Sequence, residues 1–224
     1  MKVALLLSGQ FRDGVDCFNA LDMALLKKYN PDVFISYQYS DAGPECSIND
    51  LVNLYNPTMI EFQQMPYFVN DTIHKLSNYP TYPETNRASI VYMWYGIQRA
   101  NNLKTKYENI HNFKYDIVIK SRFDLKILEE NIELKERENF IFIPIGWDHR
   151  GGYNDLFAYG DSNSMNHYCS TFDYLVKYTE NGCMVHPESL LKAHLHNSEL
   201  GIMRTSIKSS LRGMLTHELD YGVK

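Results

Sequence analysis

Arg122 and Asp124 set a cation and a carboxylate two residues apart at the end of an apolar run, Tyr115-Asp116-Ile117-Val118-Ile119-Lys120-Ser121-Arg122-Phe123-Asp124-Leu125. The β-branched first half of that run is typical of a strand buried on both faces. Charge thus appears where a core strand leaves its sheet, and in open α/β sheets that crevice is where ligands bind. A carboxylate there suits a divalent metal, and a guanidinium suits a phosphate. The competing reading is a surface pair between Arg122 and Asp124 that only closes the strand. A second polar segment, Ser8-Gly9-Gln10-Phe11-Arg12, follows the apolar residues 3–7. The helix behind it offers free backbone N–H groups to a phosphate, and Arg12 adds a charge-assisted fork. Surface pairing of Arg12 with Asp13 or Asp16 is the alternative.

The elements that must hold these residues follow from local patterns. Residues 3–7 predict a strand, and Val15, Phe18, Leu21, Leu25 and Tyr29 recur at helical spacing until Asn30-Pro31 stops the helix. Residues 32–37 predict a second strand, parallel to the first through a right-handed crossover. Ser47-Ile48-Asn49-Asp50 reads as a capped helix start, with a third strand at 58–62. Residues 63–85 have no period and carry Pro66, Pro80 and Pro83. A structureless stretch of that length is expected to be an active-site lid or a disordered excursion. Asn86 opens the longest helix, carried by Ile90, Met93, Trp94, Ile97 and Leu103. After the central run come a strand at 140–144, a glycine-rich loop at 146–154 and a short strand at 155–160. A helix capped by Ser162 and containing Met165, Tyr168, Phe172, Leu175 and Val176 follows. His186-Pro187-Glu188 starts a last helix, proline in its first turn costing no hydrogen bond. Residues 201–207 predict an edge strand, and the tail beyond is polar and peripheral. Strands alternating with helices predict one α/β domain, a mixed but mostly parallel central sheet flanked by helices.

Composition narrows the function classes. At 224 residues, with 44% apolar and 22% charged residues, the chain suits one well-buried domain. A net charge of -5 without a Lys/Arg cluster argues against nucleic acid as a partner. Its 17 tyrosines suit flat, hydroxylated ligands such as sugars and bases. Cys17, Cys46, Cys169 and Cys183 lack C-x-x-C spacing, which argues against zinc or a disulfide framework and fits a reducing compartment. The short apolar start turns polar at Ser8, unlike a signal peptide, and no segment reaches transmembrane length. A cytoplasmic protein is expected.

The common nucleotide and hydrolase signatures are absent: G-x-x-x-x-G-K-[ST], G-x-G-x-x-G and G-x-S-x-G do not occur at the expected places. Four segments taken in order, LLLSGQFR, NRASIVYMWYGIQRAN, YDIVIKSRFDL, and GGYNDLFAYGD with HPESLLKAHL, instead resemble small GT-A-type glycosyltransferases. The likeness is to enzymes of large algal DNA viruses and of bacterial capsule or lipopolysaccharide clusters, and it spans roughly residues 1–205. It implies one GT-A-like, Rossmann-like domain over residues 1–224, a nucleotide-sugar donor (most often a UDP-hexose), a glycan acceptor, and Mn2+ or Mg2+. If viral, the protein is expected in the host cytoplasm. The family pattern ends the central strand in D-x-D; here Arg122 stands at the first acidic position and Asp124 alone remains.

Breaking a glycosyl–phosphate bond leaves a diphosphate whose charge a metal or Arg/Lys donors must stabilise. Asp124 and His186 are the expected metal ligands, and Arg122 and Asp155 the expected catalytic residues. Ser8, Gly9, Gln10, Arg12, Asn86, Arg87 and Ser89 are expected to bind the donor. Trp147, Asp148, His149 and Tyr153 are expected to form the acceptor wall. Structural alternatives stand beside them: His186 as a residue merely flanking proline, Asp155 as an Asx-turn residue, and Asn86 as a helix cap. Retention of configuration is favoured, since no residue stands out as the base an inverting enzyme needs. The rival functions are a sugar-phosphate nucleotidyltransferase and a non-catalytic carbohydrate- or nucleotide-binding module.

Overall fold

The computed structural model describes residues 1–12, 14–38, 46–62, 66–211 and 214–215. Strand β1 (Val3–Gly9) leads into helix α1 (Gly14–Leu21), which passes through a π-helical turn at Asp22–Leu26 and ends in one α turn at Lys27–Tyr29. Its buried stripe is Gly14, Cys17, Leu21, Ala24 and Leu25, whereas Val15, expected in that stripe, is 55% exposed. The reason is contact: a Cβ at Gly14 would fall 2.4 Å from the Phe11 ring, so the helix turns its smallest residue inward there. Asn30 then adopts a left-handed cap (φ 42°), a conformation asparagine tolerates. Strand β2 (Asp32–Tyr37) lies parallel to β1, as the crossover predicts.

Helix α2 (Ile48–Tyr55) begins with a full capping box between Ser47 and Asp50, and strand β3 (Met59–Phe62) follows. The aperiodic segment contains helix α3 (Tyr67–Leu76), so it is not structureless; its residues 63–65 lie outside the described residues. Val69, Ile73 and Leu76 stand at helical spacing on the inner face of α3, a short period flanked in the sequence by Pro66, Pro80 and Pro83. Helix α4 (Arg87–His111) is the long helix, with Asn86 accepting from the Ser89 amide as its cap. Near its end Lys104 and Glu108, both fully buried, pair at 3.1 Å. Ser162 donates to Glu108 and accepts from Lys104, tying α4 to the next layer.

Strand β4 (Ile117–Arg122) is the central run, and β5 (Leu125–Ile127) follows within a few residues. The remaining elements are β6 (Phe140–Pro144), β7 (Ala158–Gly160), α5 (Ser162–Cys169), α6 (Leu175–Glu180), α7 (Pro187–His196), β8 (Gly201–Thr205), β9 (Ser209–Leu211) and β10 (Met214–Leu215). A 3-10 segment, Ser170–Tyr174, breaks the single helix expected after residue 162. Helix α5 is capped by Asp161, which accepts from the amides of Asn163 and Ser164, rather than by Ser162. Two adjacent cap-forming residues leave such a boundary open by one position.

Seven strands form one sheet in the order β3-β2-β1-β4-β7-β6-β8. Its pairs are parallel except those of β7, which runs antiparallel between β4 and β6. Helices cover both faces of this mostly parallel sheet, a Rossmann-like α/β arrangement. Alternation along β1 sends Ala4 and Leu6 toward α4, where Val91, Trp94 and Ile97 pack. Val3, Leu5 and Leu7 point the other way, toward Leu21, Leu25 and Leu51. The chain beyond residue 207 is not merely peripheral: β9 and β10 pair with β5 in a second, three-stranded sheet. No helix among the described residues is long and apolar enough to cross a membrane.

Candidate functional site

Strand order reverses between β1 and β4, because β2 and β3 lie on one side of β1 and β4 on the other. Ligands of open α/β sheets bind at the carboxyl ends of the strands at such a reversal. There Ser8 sits in register with Arg122, and a cavity of about 500 Å³ opens. That volume falls in the range of small-molecule sites, about 300–1,000 Å³.

The turn after β1 is built around two left-handed residues, Gly9 (φ 103°) and Arg12 (φ 44°). It delivers the Arg12 guanidinium to Asp124, Nη1 to Oδ2 at 2.7 Å, with Gln10 accepting from Nε at 3.2 Å. Arg122 grips the same carboxylate from the strand, Nε to Oδ1 at 2.7 Å and Nη2 to Oδ2 at 3.0 Å. The Arg122–Asp124 pair therefore exists, but it is buried rather than on the surface, Asp124 being 2% exposed. Arg12 joins it from a turn more than a hundred residues earlier. Burial works to raise the Asp124 pKa, but Arg122 and then Arg12 outweigh it and hold the carboxyl well below the usual range.

Lys120, inside the strand, is a further cation at this site. Its ammonium donates to the backbone carbonyls of Asp155 and Leu156, and burial lowers its pKa to about 8. A lysine in a β-branched run was the available signal, since a strand buried on both faces has no free place for one. Asp155 arrives opposite it, 3% exposed and facing the cavity. The Asx turn foreseen at this point is made by Asn154, whose Oδ1 accepts from the Leu156 amide at 2.8 Å, so the Asp155 carboxylate is not used in it.

The other wall comes from the loop after β6 and the start of α7. Trp147 lines the cavity in a left-handed conformation (φ 57°), with His149 edge-on to its indole at 5.6 Å. His186 is the N-cap residue of α7 but makes no capping hydrogen bond with its side chain. Glu188 was not singled out from the sequence, where nothing local distinguishes it from an ordinary first-turn acid. It is 6% exposed; burial and the nearby Asp155 charge push its carboxyl well above the usual range. Burial, then His149, lowers the His186 pKa.

Of the expected residues, Ser8, Gly9, Gln10, Arg12, Asn86, Ser89, Arg122, Asp124, Trp147, His149, Asp155 and His186 converge on this cavity. Three do not line it. Arg87 donates to the Tyr79 carbonyl at 2.8 Å. Asp148 accepts from Arg204 and from the Asn154 amide, holding the loop. The Tyr153 hydroxyl meets His196 at 2.9 Å. For the expected Mn2+ or Mg2+, the donor set is a poor match. Both Asp124 oxygens already accept from guanidinium groups, and among the described residues no three His, Cys, Asp or Glu side chains group as a metal site. The residues as arranged do not fit that ion.

The sequence matches no protein-family model, and no curated protein is significantly similar to it.

Proposed function

We propose that the protein is a glycosyltransferase that moves a hexose from a UDP-hexose to a glycan acceptor in this cavity. One observation carries the reading: Arg12, Lys120 and Arg122 converge at the strand-order reversal in a cavity that Asp155 also lines. A departing diphosphate gains negative charge as the glycosyl bond breaks, and preorganised cations in a partly dry site stabilise that charge most. Arg12 and Arg122 supply forked donors suited to phosphate oxygens. Lys120, committed to two carbonyls, acts through its charge. Ser8, Gly9 and Gln10 border the donor beside Asn86 and Ser89. Asp155 faces the transferred sugar, and Trp147 and His149 flank the acceptor.

A second reading, a non-catalytic nucleotide-sugar-binding module, draws on the engagement of both arginines with Asp124, which leaves them less free to follow a leaving group. One experiment separates the two. UDP and UDP-hexose binding is measured by titration calorimetry, and UDP release from a panel of UDP-hexoses is followed with manganese and with a chelator. The transferase reading expects binding and release that persist in the chelator. Binding without release selects the module, absence of binding refutes both, and release abolished by the chelator would restore the metal.

A further inference from the structure

The cavity has two chemically different ends. Its lining cations, Arg12, Lys120 and Arg122, all come from the β1 turn and β4. The other end, made by Trp147, His186 and Glu188, contributes no cation among its described lining residues; Asp155 is shared between the two ends, its backbone carbonyl accepting from Lys120, and the Arg122 charge reaches Glu188. Polar atoms there are buried and unmet. Trp147 Nε1, His186 Nδ1 and Glu188 Oε2 are closed off from solvent and lack a hydrogen-bond partner. His186 Nδ1 and Glu188 Oε2 come within 2.9 Å of each other without aligning as a hydrogen bond. An unmet buried donor or acceptor is costly, and a ligand that meets it recovers that cost.

The position of these atoms is built rather than incidental. The Glu188 backbone carbonyl accepts from the Tyr153 amide at 3.1 Å, and a Cβ on Gly152 would fall 2.2 Å from the Glu188 carbonyl carbon. The glycine loop and the first turn of α7 thus lie in backbone contact. Val185, just before them, is bridged to Thr81, which fixes the third side of this end. Tyr82 stands edge-on to His186 at 5.3 Å, and the Trp147 indole is held in by a strained backbone, as at many ligand sites.

From this arrangement we infer that the Trp147–His186–Glu188 end is a subsite for an uncharged, polyhydroxylated ligand, with Glu188 as its specificity-determining residue. The inference rests on the glycosyl-transfer reading and identifies the acceptor class, a neutral glycoside. An anion is disfavoured by Asp155, and a cation finds no metal-type group of side chains among the described residues. Hydroxyl groups instead accept from the indole N–H and both donate to and accept from the imidazole and carboxyl groups.

The test uses methyl α-glucoside, methyl α-galactoside and methyl α-mannoside added to the full-length protein with UDP present. The chain has two tryptophans, Trp94 in the core and Trp147 in the cavity, hence two indole N–H resonances. At least one glycoside should shift the Trp147 resonance and leave that of Trp94 in place, a readout that needs no mutation. Glu188→Leu should weaken that glycoside by about tenfold, the loss of one hydrogen bond of roughly 1.4 kcal/mol. Glu188→Gln, which keeps a donor and an acceptor, should retain it. No Trp147 shift with any of the three glycosides overturns the inference, as does unchanged affinity in Glu188→Leu or loss in Glu188→Gln. UDP titration on the same samples keeps the outcomes apart: failed UDP binding with intact glycoside binding counts against the donor reading alone.

Discussion

Replacing Asp124 by asparagine keeps the side-chain shape and removes the one negative charge shared by Arg12 and Arg122. Its effect on stability follows from the burial of the three groups. Asp124 is 2% exposed and the Arg122 side chain 20%, whereas that of Arg12 is 37% exposed and stays hydrated without a partner. The cost should therefore come mainly from stranding Arg122. Breaking a buried pair in this way costs about 3–5 kcal/mol, and the hydration left to Arg12 and in part to Arg122 points to the lower figure. With a urea slope of about 2 kcal/mol per M, the midpoint should fall by about 1.5 M. The double variant Asp124→Asn/Arg122→Met should be more stable than Asp124→Asn alone, because the stranded Arg122 charge is then removed. Urea unfolding followed by circular dichroism reads all three proteins. A loss below about 1 kcal/mol for the single variant, the value of an exposed pair, would refute the reasoning, and so would a double variant no more stable than Asp124→Asn. The pH dependence has a definite sign. The folded pKa lies below the unfolded value of 3.8, so this stabilisation is full above that pH and is lost as pH falls toward the folded value.

Arg12→Ala should leave the fold intact, since Arg122 still holds Asp124, and should weaken UDP binding by about 1.5–3 kcal/mol in titration calorimetry. Gly152→Ala should destabilise the protein by about 1–3 kcal/mol, because the added methyl meets backbone at the start of α7. It should also weaken glycoside binding more than UDP binding, which the two titrations compare directly. His194 is fully buried, its Nδ1 2.9 Å from the Tyr178 hydroxyl, and burial lowers its pKa to about 4 from 6.5. Between those values the unfolded chain binds the proton and the folded one does not. Stability should fall as pH drops from 6.5 toward 4, and that slope should flatten in His194→Gln.

What the sequence made legible was local. The apolar runs of β1, β2, β4 and β6, the Ser47–Asp50 capping box, the Asn86 cap and the asparagine stops all follow from neighbours within a turn or a strand. Helix α3 escaped because its apolar face, Val69, Ile73 and Leu76, is short and flanked by Pro66, Pro80 and Pro83, and packing on α4 stabilises it. The site was half visible for a related reason. Arg122 and Asp124 announced themselves by breaking an apolar strand, but the grip of Arg12 on Asp124 joins residues that no periodicity relates. Glu188 left no mark at all. Its unusual state comes from burial and from the charge of Asp155, which lies far from it in sequence.

The small sheet has a consequence for synthesis. Strand β5 leaves the site by residue 127 yet finds its partner only in β9, and Leu211 of that strand forms part of the cavity wall. A chain emerging from the ribosome carries every charged group of the site once residue 188 is out. It lacks a wall until residue 211 has cleared the exit tunnel. Nascent chains are held at that stage by their own core alone, and a bound ligand, which stabilises only the form it binds, begins to protect the protein after translation of the site is finished.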